Sequence, residues 1–245
     1  MNALLRILAW MIALALVALP VVAVLNGWIG GERWPMRRLL LTAEFRQVGE
    51  DQVRAAVAPH VRDGFFAVDL ERLRTDLEAL PWVRRVEVRK RWPDVLDVRI
   101  AEYRPLARWG TDRMLSENGE LFAAPRSAGR ALPRFDGPES RRTELMAFYS
   151  EARPLFLGDG LQVSALALSA RGSWTLRLSD GTRVDVGRGD PQRRLQRFAR
   201  LLPRLRATDT RELVRADLRY TNGFALTWRA PDPPRRTVSS IQGKA

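Results

Sequence analysis

The chain has 245 residues and a formal charge of +13, from 41 Lys and Arg against 28 Asp and Glu. That surplus calls for an anionic partner: nucleic acid, a lipid surface, an acidic polymer or an acidic protein. The chain contains no cysteine, which excludes a disulfide scaffold, a thiolate zinc site and a cysteine nucleophile; its length suffices for one large or two small soluble domains, and its apolar share of 46% for a real core.

Residues 7–25 carry no charge. As a helix this run spans roughly 28 Å, close to the hydrocarbon core of a bilayer. Trp10 and Trp28 lie near its ends, where amphipathic rings favour the interface. Pro20 is tolerable near the far end of such a helix. The run therefore reads as a transmembrane helix behind a cytoplasmic stub, residues 1–6. A cleaved signal peptide, with Arg6 before it and Ala23 as the small residue, competes less well because the run is long for that role. Arg6 precedes the span and Arg33, Arg37 and Arg38 follow it, so charge alone does not set orientation. The short stub favours the amino end inside. Either reading sends the remainder across the membrane, which leaves little room for nucleic acid.

Residues 34–104 read as strand, helix, helix, strand, strand. Leu39 to Phe45 is a short apolar run. Val53, Ala56, Val57 and Val61 have the spacing of one helix face, which Pro59 should end near Ala58. His60, the only histidine, reads as a loop residue rather than a ligand or base. Asp69 suits the N-cap of a helix carrying Leu70, Leu73, Leu77 and Leu80, stopped by Pro81. A hairpin follows. Val86 and Val88 alternate with Arg85, Glu87 and Arg89; Trp92-Pro93-Asp94 turns the chain; Leu96, Val98 and Ile100 alternate with Asp97, Arg99 and Ala101. The apolar strand face and the helical leucine stripe need each other. The expectation is a three-stranded sheet with two helices on one face.

Residues 105–230 read as a mainly antiparallel β-domain with helices. Arg113 to Ser116 and Leu121-Phe122 flank Asn118-Gly119, which suits a type I′ turn. Residues 125–138 are Pro- and Gly-rich and read as a loop. Glu139 to Leu157 is helical as far as Pro154. Three strands follow, 162–170, 173–179 and 182–186, the last two joined by Asp180-Gly181. The R-G-D tripeptide at 188–190 reads as a helix start, with Asp190 as N-cap and Pro191 as first helical residue. That helix runs to about Leu202, with Leu195, Phe198, Leu201 and Leu202 on one face and Arg193, Arg194, Arg197 and Arg200 elsewhere, a solvated face whose stems cover the core edge. In the last hairpin Val214, Ala216, Leu218 and Tyr220 alternate with Arg215, Asp217 and Arg219. Thr221-Asn222-Gly223 turns, and Phe224, Leu226 and Trp228 share a face of the return strand. As the final strand it reads as an edge, open to strand addition, although Tyr220 and Trp228 also suit core or rim aromatics. Residues 231–245 read as a disordered tail.

G-F-F-A-V-D-L, L-P-W-V, V-R-K-R-W-P-D and E-Y-R-P-L-A-R-W, at this spacing behind one span, resemble the POTRA domain of the FtsQ/DivIB family of bacterial cell-division proteins. A-R-G-S-W-T-L, V-G-R-G-D-P-Q-R-R-L-Q-R-F and V-R-A-D-L-R-Y with G-F-A-L-T-W resemble that family's β-domain. The resemblance covers Leu4 to Trp228 and implies an α+β, single-span inner-membrane scaffold with its bulk in the periplasm at the division septum. It implies binding of FtsB and FtsL by strand addition at the last hairpin, with Tyr220 and Trp228 against the partner strand and Arg219 and Arg171 pairing with its acids. It ties Val88, Lys90 and Glu102 to recruitment and to further division proteins such as FtsK, FtsW and FtsI. The nearly absent cytoplasmic stub departs from better-known members and puts any contact through such a tail in doubt.

No catalytic constellation, metal set or cofactor loop is visible in the sequence. The leading reading is a docking protein. The other is a periplasmic wall-associated enzyme or anionic-polymer binder that uses the arginine-rich helix.

Overall fold

The computed structural model describes residues 2–25, 34–62, 64–125, 128–209, 211–220 and 223–229. The tail at 231–245 and the turn residues Thr221 and Asn222 lie outside these. Helix α1 covers Asn2–Leu25 and contains Pro20; its described side chains, 7–22, are exposed. Among the described residues, no helix is long and apolar enough to cross a membrane.

The chain forms two compact units, Met1–Arg104 with Phe122–Pro125, and Pro105–Leu121 with Arg126–Ala245. In the first, β1 (Arg38–Thr42), α2 (Glu50–Val57), α3 (Leu70–Glu78), β2 (Val83–Arg91) and β3 (Val95–Glu102) follow in order. The sheet order is β1-β3-β2, with β1 parallel to β3 and β2 antiparallel to it. One face, with Val86, Leu96, Val98 and Ile100, is buried together with Val53 and Val57 of α2 and Leu73 and Leu77 of α3. This is the expected three-stranded sheet with two helices. Asp69 caps α3 by accepting the N–H groups of Glu71 and Arg72 at 3.0 and 3.1 Å.

Two expectations change here. His60 lies in a 3₁₀ turn after α2, and its Nε2 stands 2.8 Å from Asp76 Oδ2 on α3; the carboxylate neighbour comes from another element. Asp97 reads from period as a solvent residue but is buried, under Arg91 and Arg99 at 3.1 and 3.6 Å. The long arginine stems cover a face that period two assigns to water.

The second unit contains β4 (Pro105–Trp109), β5 (Arg113–Ser116), β7 (Arg134–Asp136), α4 (Arg142–Leu157), β8 (Val163–Leu168), β9 (Trp174–Leu178), β10 (Arg183–Gly187), α5 (Pro191–Thr208), β11 (Leu213–Asp217) and β12 (Ala225–Trp228), and the boundary between units falls within β6 (Leu121–Ala123). The sheet order is β12-β11-β10-β9-β8-β7-β4-β5-β6. Pairing is mainly antiparallel, but β10–β11, β4–β7 and β7–β8 run parallel. Helices α4 and α5 pack on one face through Leu145, Phe148, Phe156, Leu195, Phe198 and Leu202. Phe148 stacks on Trp174 with centroids 4.2 Å apart.

Local chemistry explains the departures from pattern. At 116–120 the Ser116 N–H donates to Glu120 O and the Gly119 N–H to Ser116 O, and Gly119 alone in that turn has positive φ. This is a three-residue loop with glycine in the left-handed region, not a type I′ turn. The loops 170–172 and 179–181 close in the same way.

Helix α4 passes through Pro154 to Leu157. Pro154 is exposed, so the carbonyl it leaves without a donor faces water, while Phe156 is fully buried and holds the last turn. Helix α5 likewise passes through Pro203. Leu201 is exposed, and Ala199 takes its expected place in the core. Asp190 precedes α5 with left-handed backbone and makes no side-chain capping bond; it lies 3.4 Å from Arg193 instead. In β11 a register shift between Leu213 and Arg215 buries Leu213 and exposes Val214.

A single row of apolar side chains crosses five strands, four of them buried and Leu226 partly so: Leu166, Leu176, Val184, Ala216 and Leu226 lie opposite one another in turn. Replacing Leu176, fully buried in this row, by Ala should lower the stability of the second unit by about 2–5 kcal/mol in denaturant unfolding. A loss under about 0.5 kcal/mol, the range of ordinary surface substitutions, would show that the row is not its core.

Candidate functional site: an open sheet edge

Strand β12 is the last in the sheet order, as the sequence leads one to expect. It pairs with β11 from Leu213↔Trp228 to Asp217↔Ala225, and Arg229 N–H donates to Glu212 O at 2.9 Å. Among the described residues nothing pairs with its other side. In a strand, alternate N–H and C=O groups then point outward without a ladder partner. Its four residues, A-L-T-W, include no charge and no proline, the usual protections of an edge. The outer strand β2 of the small sheet, V-R-R-V-E-V-R-K-R, is heavily charged by comparison.

What holds β12 is its inner face. Phe224, Leu226 and Trp228 are partly buried against the core cluster. The Phe224 ring meets Phe198 of α5 edge-on at 5.7 Å, and the Arg197 guanidinium donates to Gly223 O at 3.4 Å. Strand β11 is fixed in turn: Thr182 Oγ1 donates to Leu213 O at 2.8 Å, and Leu218 N–H to Asp185 O at 2.9 Å. Trp228 therefore faces the core side, while Thr227 is exposed.

The opposite face of these strands is a charge ladder. Arg177, Arg183 and Arg215 form one row, and Thr175, Asp185 and Asp217 the next. Like charges sit directly opposite, and the ion pairs run along a strand or diagonally between two. Asp185, nearly buried, accepts from Arg183 Nε at 2.9 Å and Arg215 Nε at 2.6 Å. Asp217, also buried, accepts from Arg219 through Nε at 2.8 Å, Nη2 at 2.6 Å and the backbone N–H at 3.1 Å. The Arg219 guanidinium, through this hydrogen bonding and its charge, holds the Asp217 carboxyl below the usual range, and Arg219 itself is shifted upward by Asp217.

The predicted site residues divide by position. Arg219 and Tyr220 follow β11 at the end of the sheet where β12 begins, with Tyr220 59% exposed. Arg171 lies in the loop joining β8 to β9, at that same end, because Trp174 stands opposite Gly187 and Gly187 reaches Arg219. Trp228 lies at the other end of β12, opposite Leu213. Three of the four thus gather at one end, and the fourth is about 10 Å along the strand.

The residues Val88, Lys90 and Glu102 do not form one cluster. Val88 is half-buried on the helix-facing side. Lys90 Nζ donates to Phe66 O at 3.4 Å and sits 5.8 Å above the Phe65 ring, and burial lowers its pKa. Glu102 accepts the N–H groups of Arg46 and Gln47 at 3.1 and 2.8 Å and stands opposite Val83, about 17 Å along β2 from Val88.

Pattern reading missed Asp185, Asp217 and Gly187 as parts of the site. Gly187 has φ +84°, and a Cβ there would lie 2.7 Å from Arg219 Cγ; its glycine lets the Arg219 stem cross. Among the described residues, no three His, Asp or Glu side chains group as a metal site.

The arrangement can add a backbone strand and offer guanidinium groups beside it. A model of the FtsQ/DivIB C-terminal region of cell division proteins matches residues 107–219, and an FtsQ-type POTRA model matches residues 35–103. The chain is 55% identical over 231 residues to the cell division protein FtsQ of Xanthomonas campestris pv. campestris, covering 94% of this chain and 82% of that one. It is 35% identical over 223 residues to FtsQ of Escherichia coli, covering 88% and 80%, and 30% identical over 196 residues to FtsQ of Coxiella burnetii, covering 80% and 81%.

Gly187→Ala should strain the backbone by about 1–2 kcal/mol and push Arg219 off Asp217. The measurement is the Arg219 Nε–H signal by NMR, slow to exchange in the parent and fast in the variant; an unchanged signal contradicts the crossing. Because the Asp217 carboxyl is lowered in the folded chain, its contribution is complete above the free value of 3.8 and is lost as pH falls below that through the folded value. The same signal should therefore stay slow at pH 5 and weaken only below about 4.

Proposed function

Because the chain belongs to the FtsQ/DivIB family of cell-division proteins, we propose that it works as a membrane-tethered dock of the division machinery, not as a catalyst. Residues 7–25 anchor it in the inner membrane as a single span, with residues 1–6 in the cytoplasm and the bulk in the periplasm at the septum. Residues 34–104 form the POTRA domain and residues 105–230 the β-domain. The observation that carries the proposal is β12: uncharged, held by its inner face and open on its outer side. Strand addition there supplies backbone hydrogen bonds, and side chains beside it select the partner.

The partner is the FtsB–FtsL pair, with FtsB supplying the strand. Arg219 and Arg171 meet carboxylates of that strand, and Tyr220 and Trp228 pack on it. Arg219 reaches the partner while Asp217 fixes its stem side, so the guanidinium shares its donors between two carboxylates, as its five N–H groups allow. Val88, Lys90 and Glu102 serve the POTRA half, with Lys90 and Glu102 setting the loops at opposite ends of the sheet. FtsK, FtsW and FtsI are the further partners.

One feature favours a second reading. Helix α5 has no acidic residue, and a cleft lined by its Arg193, Arg194, Gln196, Arg197 and Arg200, with Asp190 just before the helix, would suit an anionic wall polymer. Retention on wall fragments that survives changes in β12 but fails when these arginines are replaced supports that reading.

The test of the first is affinity for a peptide from the acidic carboxyl-terminal segment of FtsB. Arg219→Glu should weaken binding at least about tenfold, since it replaces an attractive contact with a repulsive one. Thr227→Pro, which bends the strand, should weaken it as much. Unchanged affinity in both variants contradicts strand addition at β12.

A further inference from the structure

The end of the first unit at which the described chain resumes after α1 carries three large aromatic side chains in water. Trp34 is 43% exposed, Phe66 45% and Trp92 75%. They belong to three different segments, and the fold brings these together. Phe65 N–H donates to Trp34 O at 2.9 Å, which ties the loop before α3 to the incoming chain. The Trp34 and Phe66 rings meet edge-on at 6.5 Å, and Phe66 meets the buried Phe65 at 5.3 Å. The Arg37 and Arg38 N–H groups both donate to Asp94 O, at 3.1 and 3.2 Å, so the β2–β3 turn with Trp92 stands beside the same segment. Lys90 holds the loop from below through Phe66 O.

Exposed rings of this size lose free energy in water unless something covers them. Ordinary core packing does not need them, since Phe65, Val68 and Trp82 already fill the interior. Around them are cations. Arg38 pairs with Asp94 at 2.8 Å, whereas Arg37 and Arg62 are exposed and have no carboxylate partner among the described residues. Tryptophan and phenylalanine with arginine is the composition of a surface at lipid headgroup depth, where rings sit at the acyl boundary and guanidinium groups meet phosphates.

We propose that this pole of the first unit lies on the bilayer that holds α1, with Trp34, Phe66 and Trp92 in the interface and Arg37 and Arg62 on anionic headgroups. The occupant is set by chain length. Trp34 follows Leu25 by nine residues, which reach about 31 Å at most when fully extended; the tether keeps this pole near the membrane. Contact there is nearly intramolecular, so a modest interface suffices. The consequence is orientational: the unit stands on the membrane by one end in place of swinging on its linker. This inference rests on the membrane anchor proposed above.

The full chain has no cysteine, so a single introduced one carries a nitroxide label alone. Phe66→Cys and Trp92→Cys report on the pole, and Gly158→Cys, exposed in the second unit with open space around it, reports on water. In phosphatidylglycerol-containing vesicles, collision with a water-soluble nickel complex should be about threefold or more lower at 66 and 92 than at 158, with oxygen collision higher. Replacing both Arg37 and Arg62 by Glu should bring position 66 back toward the aqueous value. If 66 and 92 are as open to nickel as 158 in vesicles from which alkaline carbonate does not extract the chain, the docking is overturned and the anchor stands. If carbonate extracts the chain, the anchor falls, and the docking with it.

Discussion

The structure of the second unit depends on one line of apolar contact. Leu166, Leu176, Val184, Ala216 and Leu226 meet in register across five strands, and α4 and α5 close over them. Fully buried aliphatic side chains contribute about 1.5–3 kcal/mol each, and the partly buried Phe224, Leu226 and Trp228 pack against that core, so the outermost strand is held through side chains as well as through its single backbone ladder. That is why β12 can stay ordered with one edge unpaired. A strand held only by a ladder on one side would need a partner on the other.

Both sheets solve the same problem on their free faces. Each has helices on one side only, and the other side is covered by arginine stems over buried carboxylates: Asp97 in the small sheet, Asp185 and Asp217 in the large one. Removing a carboxylate from water is costly unless hydrogen-bonded countercharge surrounds it. Arg91 with Arg99, Arg183 with Arg215, and Arg219 supply that countercharge. These pairs specify geometry more than they add stability. Near the edge they hold the Arg215 and Arg219 side chains in place. Part of the +13 charge is thus structural, and α5, without acidic residues, carries much of what is left for solvent or partners.

How legible this was depended on range. Elements set by local chemistry were readable: Asp69 as a cap, the period-two hairpin of β2 and β3, the turns ending in glycine, and the last strand as an edge. Features set by other parts of the chain were not. Pro154 and Pro203 do not end their helices, because Phe156 beyond the one is buried and the turn is fixed by tertiary packing. Asp190 sits at the helix start but is turned away from the capping geometry by its left-handed backbone. His60 meets Asp76 only once α2 and α3 pack. Val214 and Leu213 exchange roles through a register shift that no periodicity signals. At the candidate site, Arg219 and Tyr220 were proposed by motif, whereas the bond of Arg219 to Asp217 had no pattern signal and Gly187 beside it needed the parallel pairing of β10 with β11.

The most direct test is hydrogen exchange of the β12 amides with and without the FtsB–FtsL pair. In the free chain the amides bonded to β11 should be slow and the alternate, outward ones fast; on binding, the fast set should become protected while Val184 and Leu176 stay unchanged. If the outward amides are already slow in the free chain, or remain fast in the complex, the open edge is not where the partner docks.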